Sequence, residues 1–219
     1  MLSASSRVIR FICLGLVLAF PLSISTVVLA AIEKSPNDPK HYRDLTLNNQ
    51  LRVLLISKPD SDKAAASMNV AVGSSANPKD RAGLAHFLEH MLFLGTEKYP
   101  QADEYQSFIR SHGGGHNAYT SQENTNYFFD VSAEHLEPAL DRFAQFFVAP
   151  LFDAKYVDRE RHAVHSEYQA KIKDDYRRGY AVTKSVMNQA NSHNWFAVGS
   201  LETLADRENS NIRDELISF

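Results

Sequence analysis

Two imidazoles and a carboxylate lie within one helical turn in the run His86-Phe87-Leu88-Glu89-His90. A helix advances about 100° per residue, which sets Glu89 at about −60° and His90 at about +40° from His86, so the three side chains leave from roughly a quarter of the circumference. Neutral imidazole is a good zinc ligand, and a hydrolytic zinc site keeps one position open for water. Two histidines therefore need one further protein ligand from elsewhere in the chain. Glu89 stands beside the ligands, free to take a proton from water whose acidity the ion raises. The chemistry within reach of these residues is metal-dependent hydrolysis, with His86 and His90 holding the ion and Glu89 as base.

Nine histidines in the chain make a chance H-x-x-E-H about a 2% event. Leu84, Phe87, Leu88, Met91 and Leu92 surround the motif with apolar residues, which predicts a largely buried helix whose histidines face a cleft. The longer stretch from Gly83 to Thr96, GLAHFLEHMLFLGT, resembles the inverted zinc motif of the M16 metallopeptidases, the pitrilysin and insulin-degrading enzyme family. The resemblance implies a third ligand, a glutamate on a later helix about 75 to 80 residues after the second histidine. Glu167, in Val164-His165-Ser166-Glu167, falls in that interval. Glu160 precedes it by nearly two helical turns, so the two carboxylates differ by only about 20° around the axis and share a face. The family carries a glutamate there as well, which implies that Glu160 supports the site by hydrogen bonding to the ligands. A solvated acidic face with Arg159 and Arg161 is the alternative. His162 and His165 depart from the family, whose members often carry asparagine and aspartate there.

The resemblance extends from Ser111 to Val131. His112-Gly113-Gly114-Gly115-His116-Asn117-Ala118-Tyr119-Thr120, followed by Thr125-Asn126-Tyr127-Phe128-Phe129-Asp130-Val131, is similar to the family's substrate-side hairpin. From the residues themselves, the glycines give a flexible turn, and Tyr119 with the Tyr127–Val131 run has the aromatic and β-branched content of paired strands. An exposed edge there could accept an extended peptide as an added strand, which makes Asn117 and Thr120 substrate-side candidates. The glycines lack the following lysine and hydroxyl residue of a phosphate loop. They also disfavour the helix that would align His112 with His116 on a metal, leaving these as surface or substrate-contact residues.

The elements that must position these groups can be read from periodicity. Leu45–Leu47 and Leu51–Ile56 bracket Asn48-Asn49-Gln50 and predict a hairpin. A strand follows over Ala66–Val72, then the motif helix, starting after the polar Asn77–Arg81 loop and ending near Gly95. Asp103–Ser111 predicts a second helix. Leu136, Leu140, Phe143 and Phe147 predict a third on one apolar face, closed by Pro150. Asp153 is the expected cap of a longer helix carrying Glu160 and Glu167 toward Asp175. Tyr180–Ala190 reads as helix, His193–Ser200 as a loop around Trp195, and Asn211–Phe219 as the start of another helix. Strands flanked by helices predict an α+β fold, an antiparallel or mixed sheet with helices packed on one face.

Residues 1–30 read as an export signal, with Arg7 and Arg10 ahead of an apolar run from Phe11 to Ala30 and small residues for cleavage near Ala31. Export to a periplasm is the expectation, with a membrane anchor through residues 11–30 as the alternative. Residues 31–40 form an extended lead-in, and 41–219 the zinc-binding domain, incomplete because the chain stops inside an amphipathic pattern at Phe219. The lone cysteine, Cys13, lies in the leader, so the mature part forms no disulfide. A formal charge of −3, more negative once Arg7 and Arg10 are removed, argues against nucleic acid as a partner. A hydrophobic content of 44% is that of an ordinary globular core.

The resemblance implies a zinc endopeptidase using one zinc per chain and acting on peptides, and the leader makes it an exported one. The resemblance also implies that further substrate-clamping groups come from a C-terminal half of the same polypeptide. The alternative is a non-catalytic member of the same fold, acting as a binding or assembly subunit.

Overall fold

A computed structural model of the chain describes residues 32–219. The signal-peptide reading of residues 1–30, and the anchor alternative within it, lie outside the described residues. Among the described residues no helix is long and apolar enough to cross a membrane. Residues 32–40 hold one turn and neither helix nor strand.

The chain divides into two compact units after Lys58. The first carries an antiparallel hairpin of β1 (His41–Thr46) and β2 (Arg52–Ser57). Its loop closes where Leu47 N–H donates to the Leu51 carbonyl at 2.9 Å.

The second unit is built on a three-stranded antiparallel sheet, β3 (Lys63–Val70), β4 (Gly115–Thr120) and β5 (Thr125–Ser132), in the order β3-β5-β4. Central strand β5 alternates strictly. Tyr127, Phe129 and Val131 are buried on one face while Phe128 is exposed on the other, so helices can cover only the first face. The helices in chain order are α1 (Leu84–Leu92), α2 (Glu104–Ser111), α3 (Leu136–Gln145), α4 (Ala154–Lys171), α5 (Asp175–Val186) and α6 (Ile212–Ser218). Ile109 of α2 and Phe143 of α3, with Phe146 just beyond, pack on the apolar face of the sheet. A second apolar cluster joins Leu84, Phe87 and Met91 of α1 to Val164 of α4 and to Ile212 and Leu216 of α6. This is the α+β arrangement with helices on one face that the sequence predicts.

Local differences have identifiable causes. The buried stripe of α3 runs through Ala139, Phe143 and Phe146, while Leu140 is 44% exposed. The helix is rotated so that the small Ala139, rather than a leucine, allows close approach to the sheet. It ends at Gln145, and Pro150 instead bridges to Thr96. α4 stops at Lys171 short of Asp175, because the Asp174 carboxylate accepts from Arg177 N–H and starts α5 afresh. The Gly113–Gly115 run serves close packing as well as turning: a Cβ on Gly114 would lie 2.0 Å from the Asp130 carbonyl oxygen. Arg81, in the loop before α1, is 1% exposed. It forks onto the Glu215 carboxylate and also donates to the Ala205 carbonyl, tying the entry of α1 to α6.

Candidate metal centre

The motif helix starts where it does because Asn77 Oδ1 accepts from Ala85 N–H at 2.8 Å. Gly83 takes φ 91° ahead of the first turn, a conformation that suits glycine. A Cβ there would lie 2.2 Å from Gly199 Cα, so two glycines let the segment following Trp195 press directly on the start of α1. That contact carries the Val198 carbonyl to His86 Nδ1 at 2.7 Å. A carbonyl only accepts, so Nδ1 bears the hydrogen and Nε2 presents its lone pair.

α1 packs against α4, and Glu167 comes to both imidazoles. Its Oε2 lies 3.5 Å from His86 Nε2 and its Oε1 lies 3.5 Å from His90 Nε2. One donor atom from each of the three residues falls within 4.8 Å of the others. Ligands bound at about 2.0–2.2 Å around a tetrahedral ion stand roughly 3.3–3.6 Å apart; the two contacts of Glu167 with the imidazoles fall in that range, and the set as a whole is one that could hold a metal ion. The His86 Nε2 lone pair facing a carboxylate is otherwise acceptor against acceptor, and a proton or metal ion must lie between them. Burial opposes the charged form of His86. The Glu167 carboxylate, the Val198 carbonyl and the charge of Glu89 outweigh it and hold the pKa above the ordinary histidine value. His86 itself supplies the largest influence on Glu167, whose pKa is held below the usual carboxylate range.

The supporting groups sit one layer out. Glu160 Oε2 lies 3.4 Å from His90 Nδ1, and Arg159 Nε donates to Glu160 Oε1 at 2.9 Å. Burial raises the Glu160 pKa, but His90 and Arg159 together bring it below the ordinary value. Glu160 thus contacts a candidate ligand, rather than belonging to a solvated acidic face. Glu89 is 8% exposed and accepts a hydrogen bond on Oε2 from the Thr120 hydroxyl. Thr120, a substrate-side candidate by sequence, therefore has its hydroxyl turned to the candidate base. Asn117 is exposed on β4, an edge strand of the sheet among the described residues, and its Oδ1 accepts from Ala118 N–H at 2.9 Å. His116 packs among Phe93 and Tyr105 with ring centres 5.6 and 5.4 Å away, and neither it nor His112 reaches the metal-site residues. His165 Nδ1 accepts from Leu201 N–H at 3.4 Å, and His162 Nδ1 donates to the Asp158 carbonyl at 2.8 Å.

All of this opens into a cleft of 1240 Å³ lined by α1, β4, α4, α5 and the Trp195–Val198 segment. Sequence reasoning missed Val198, which acts through its backbone and leaves no side-chain signal, and missed the Thr120–Glu89 contact. Thr120→Val is expected to lower kcat roughly 10–100-fold with zinc content unchanged, since a hydrogen bond to a charged group contributes about 1.5–3 kcal/mol. Steady-state kinetics with metal analysis of the full-length protein checks this. An unchanged kcat would leave the contact without a catalytic role.

Comparison with known proteins gives consistent findings. A profile described as Insulinase (Peptidase family M16) matches residues 52–197. The chain is 49% identical over 191 residues to the insulin-degrading enzyme of Homo sapiens, covering 86% of this chain and 19% of that protein. It is 47% identical over 185 residues to the A-factor-processing enzyme of Saccharomyces cerevisiae, covering 83% of this chain and 18% of that protein. A crystal structure of pitrilysin superposes with a TM-score of 0.83 at 38% identity, over 88% of this chain and 20% of that one. The chain thus spans about a fifth of the length of these relatives.

Proposed function

From a chain that belongs to the M16 insulinase family of peptidases, we infer the zinc-binding part of an exported zinc-dependent endopeptidase. The observation that carries the reading is the approach of the Glu167 carboxylate to two histidine Nε2 atoms at 3.5 Å each, a donor set suited to zinc with a position left for water. His86, His90 and Glu167 would hold the ion. When bound, zinc supplies a Lewis acid that lowers the pKa of water and polarises a peptide carbonyl.

Glu89 is the base. The Thr120 hydroxyl holds its Oε2, which leaves Oε1 to take the proton from the attacking water and return it to the leaving amine. The Val198 carbonyl fixes the tautomer and ring orientation of His86. Glu160 does the same for His90, and Arg159 steadies Glu160. Edge strand β4 with Asn117 would pair with an extended peptide, with main-chain hydrogen bonds supplying affinity at little sequence demand. The rest of a longer polypeptide, as in the relatives, would supply the remaining substrate contacts. Export is supported by the charged, then apolar, residues 1–30.

One preparation tests all of this. The full-length protein purified from its native host is expected to start near Ala31, to hold one zinc per chain, and to cut a medium-sized peptide until chelation removes the metal. Zinc without cleavage would favour the non-catalytic binding subunit, absence of zinc would end the reading, and an intact leader would end the export proposal.

A further inference from the structure

The cleft above the metal-site residues is basic along one wall. Five cationic side chains line it, Arg159, Lys171, Arg177, Arg178 and Lys184, against three carboxylates, Glu89, Glu160 and Glu167. All three carboxylates are engaged at the metal site. The chain as a whole carries −3, so the cleft runs against the sign of the protein. Arg159 pairs with Glu160 at 2.9 Å and Arg178 with Asp175 at 3.2 Å. Lys171, Arg177 and Lys184 make no ion pair with any described residue.

Lys184 is held in place without a counter-ion. Its Nζ donates to the Trp195 carbonyl at 2.9 Å and lies 5.1 Å from the centre of the Tyr180 ring. The Tyr180 hydroxyl is itself 3.1 Å from His193 Nε2. Burial pushes the Lys184 amine below the ordinary lysine value, as expected of a cation partly stripped of water with no carboxylate beside it. Arg177, Tyr180, Ala181 and Lys184 recur at helical spacing and all line the cleft, so they form one face of α5. Lys171 follows Glu167 on α4 by one turn, about 6 Å of rise. An extended peptide advances about 3.4 Å per residue, so the spacing from Glu167 to Lys171 along α4 corresponds to about two residues of such a peptide, and both residues line the same cleft.

We propose that Lys171, Arg177 and Lys184 form a subsite for carboxylate side chains, so that this protein selects peptides bearing aspartate or glutamate within a few residues of the bond it cuts. The proposal rests on the peptidase reading above and names its substrate class. A fixed Lys184 requires little further ordering when a carboxylate arrives. Because the wall is partly solvated, the preference is expected to be moderate and salt-sensitive.

The test is a binding experiment, so that it does not depend on turnover. The full-length protein carrying Glu89→Gln, loaded with zinc, is titrated into two fluorescent peptides, acetylated and amidated, that differ only in glutamate or glutamine near the centre. A third peptide carries glutamine and a free C-terminal carboxylate. The expected result is about tenfold tighter binding of the glutamate peptide at low salt, a gap that narrows as salt is added. Adding Arg177→Gln with Lys184→Gln brings the ratio to about one, while Lys184→Arg keeps it. A ratio near one in the parent, a ratio that survives the double substitution, or tighter binding of the free-terminus peptide than of the glutamate peptide would each overturn the subsite. Cleavage of the same peptides by the protein with Glu89 intact judges the peptidase reading separately. Selective binding without cleavage removes that reading alone, and cleavage without selectivity removes the subsite alone.

Discussion

Glu89→Gln is expected to keep one zinc per chain and to lower peptide cleavage by the full-length protein about 10²–10⁴-fold. Glutamine preserves the volume of the side chain and can still meet the Thr120 hydroxyl, so α1, the imidazoles and their contacts with Glu167 are left in place. What disappears is the one anionic oxygen not already engaged, and with it the acceptor for the proton of the attacking water. Metal content by mass spectrometry and kcat/KM on one peptide decide the point together. Full activity with full zinc would remove Glu89 from the role of base, and loss of zinc would make Glu89 a ligand instead.

The second large effect concerns stability. Arg81 is 1% exposed, and Glu215 is its only carboxylate partner among the described residues. Glu215→Ala leaves the guanidinium buried with backbone carbonyls alone, and breaking a buried pair in this way costs roughly 3–5 kcal/mol. The pH dependence follows from the same contact. Arg81, followed by the Ser210 hydroxyl, holds the Glu215 carboxyl below its ordinary value of 4.5. Its contribution is therefore complete above about pH 4.5 and is lost as pH falls through the lower folded value. Urea unfolding at pH 7 and near pH 3 measures both. The expected outcome is a large gap between parent and variant at neutral pH that closes in acid, and equal midpoints at pH 7 would show that the fork contributes nothing.

The parts of the site that were legible in the amino-acid sequence are those governed by helical period. His86, Glu89 and His90 meet because they share a turn, Glu160 and Glu167 because they are nearly two turns apart, and α4 begins where Asp153 caps it. Resemblance to a known family singled out Glu167, which spacing within one helix could not reach. The order of strands and flanking helices likewise gave an α+β fold with helices on one face, whereas the alternation of β5 that decides which face shows only in the structure. Other features depend on long-range approach and have no local signature. Val198 acts through a carbonyl, brought to His86 by Gly83 and Gly199 touching across more than a hundred residues. Arg81 reads as a loop cation and is buried only because α6 returns to meet it. Leu140 fits the apolar stripe by spacing but is exposed, because Ala139 is what allows α3 to approach the sheet. Thr120 reads as a strand-edge residue, yet the proximity of β4 to α1 turns its hydroxyl inward.

The most direct measurement is zinc-edge X-ray absorption on the loaded full-length protein and on Glu167→Ala, together with zinc affinity by competitive titration. The expected parent spectrum contains two imidazole nitrogens and one carboxylate oxygen at roughly 2.0–2.2 Å, and Glu167→Ala loses the carboxylate with a fall in affinity of at least about 100-fold. An unchanged spectrum and affinity in Glu167→Ala would contradict a cation shared between α1 and α4.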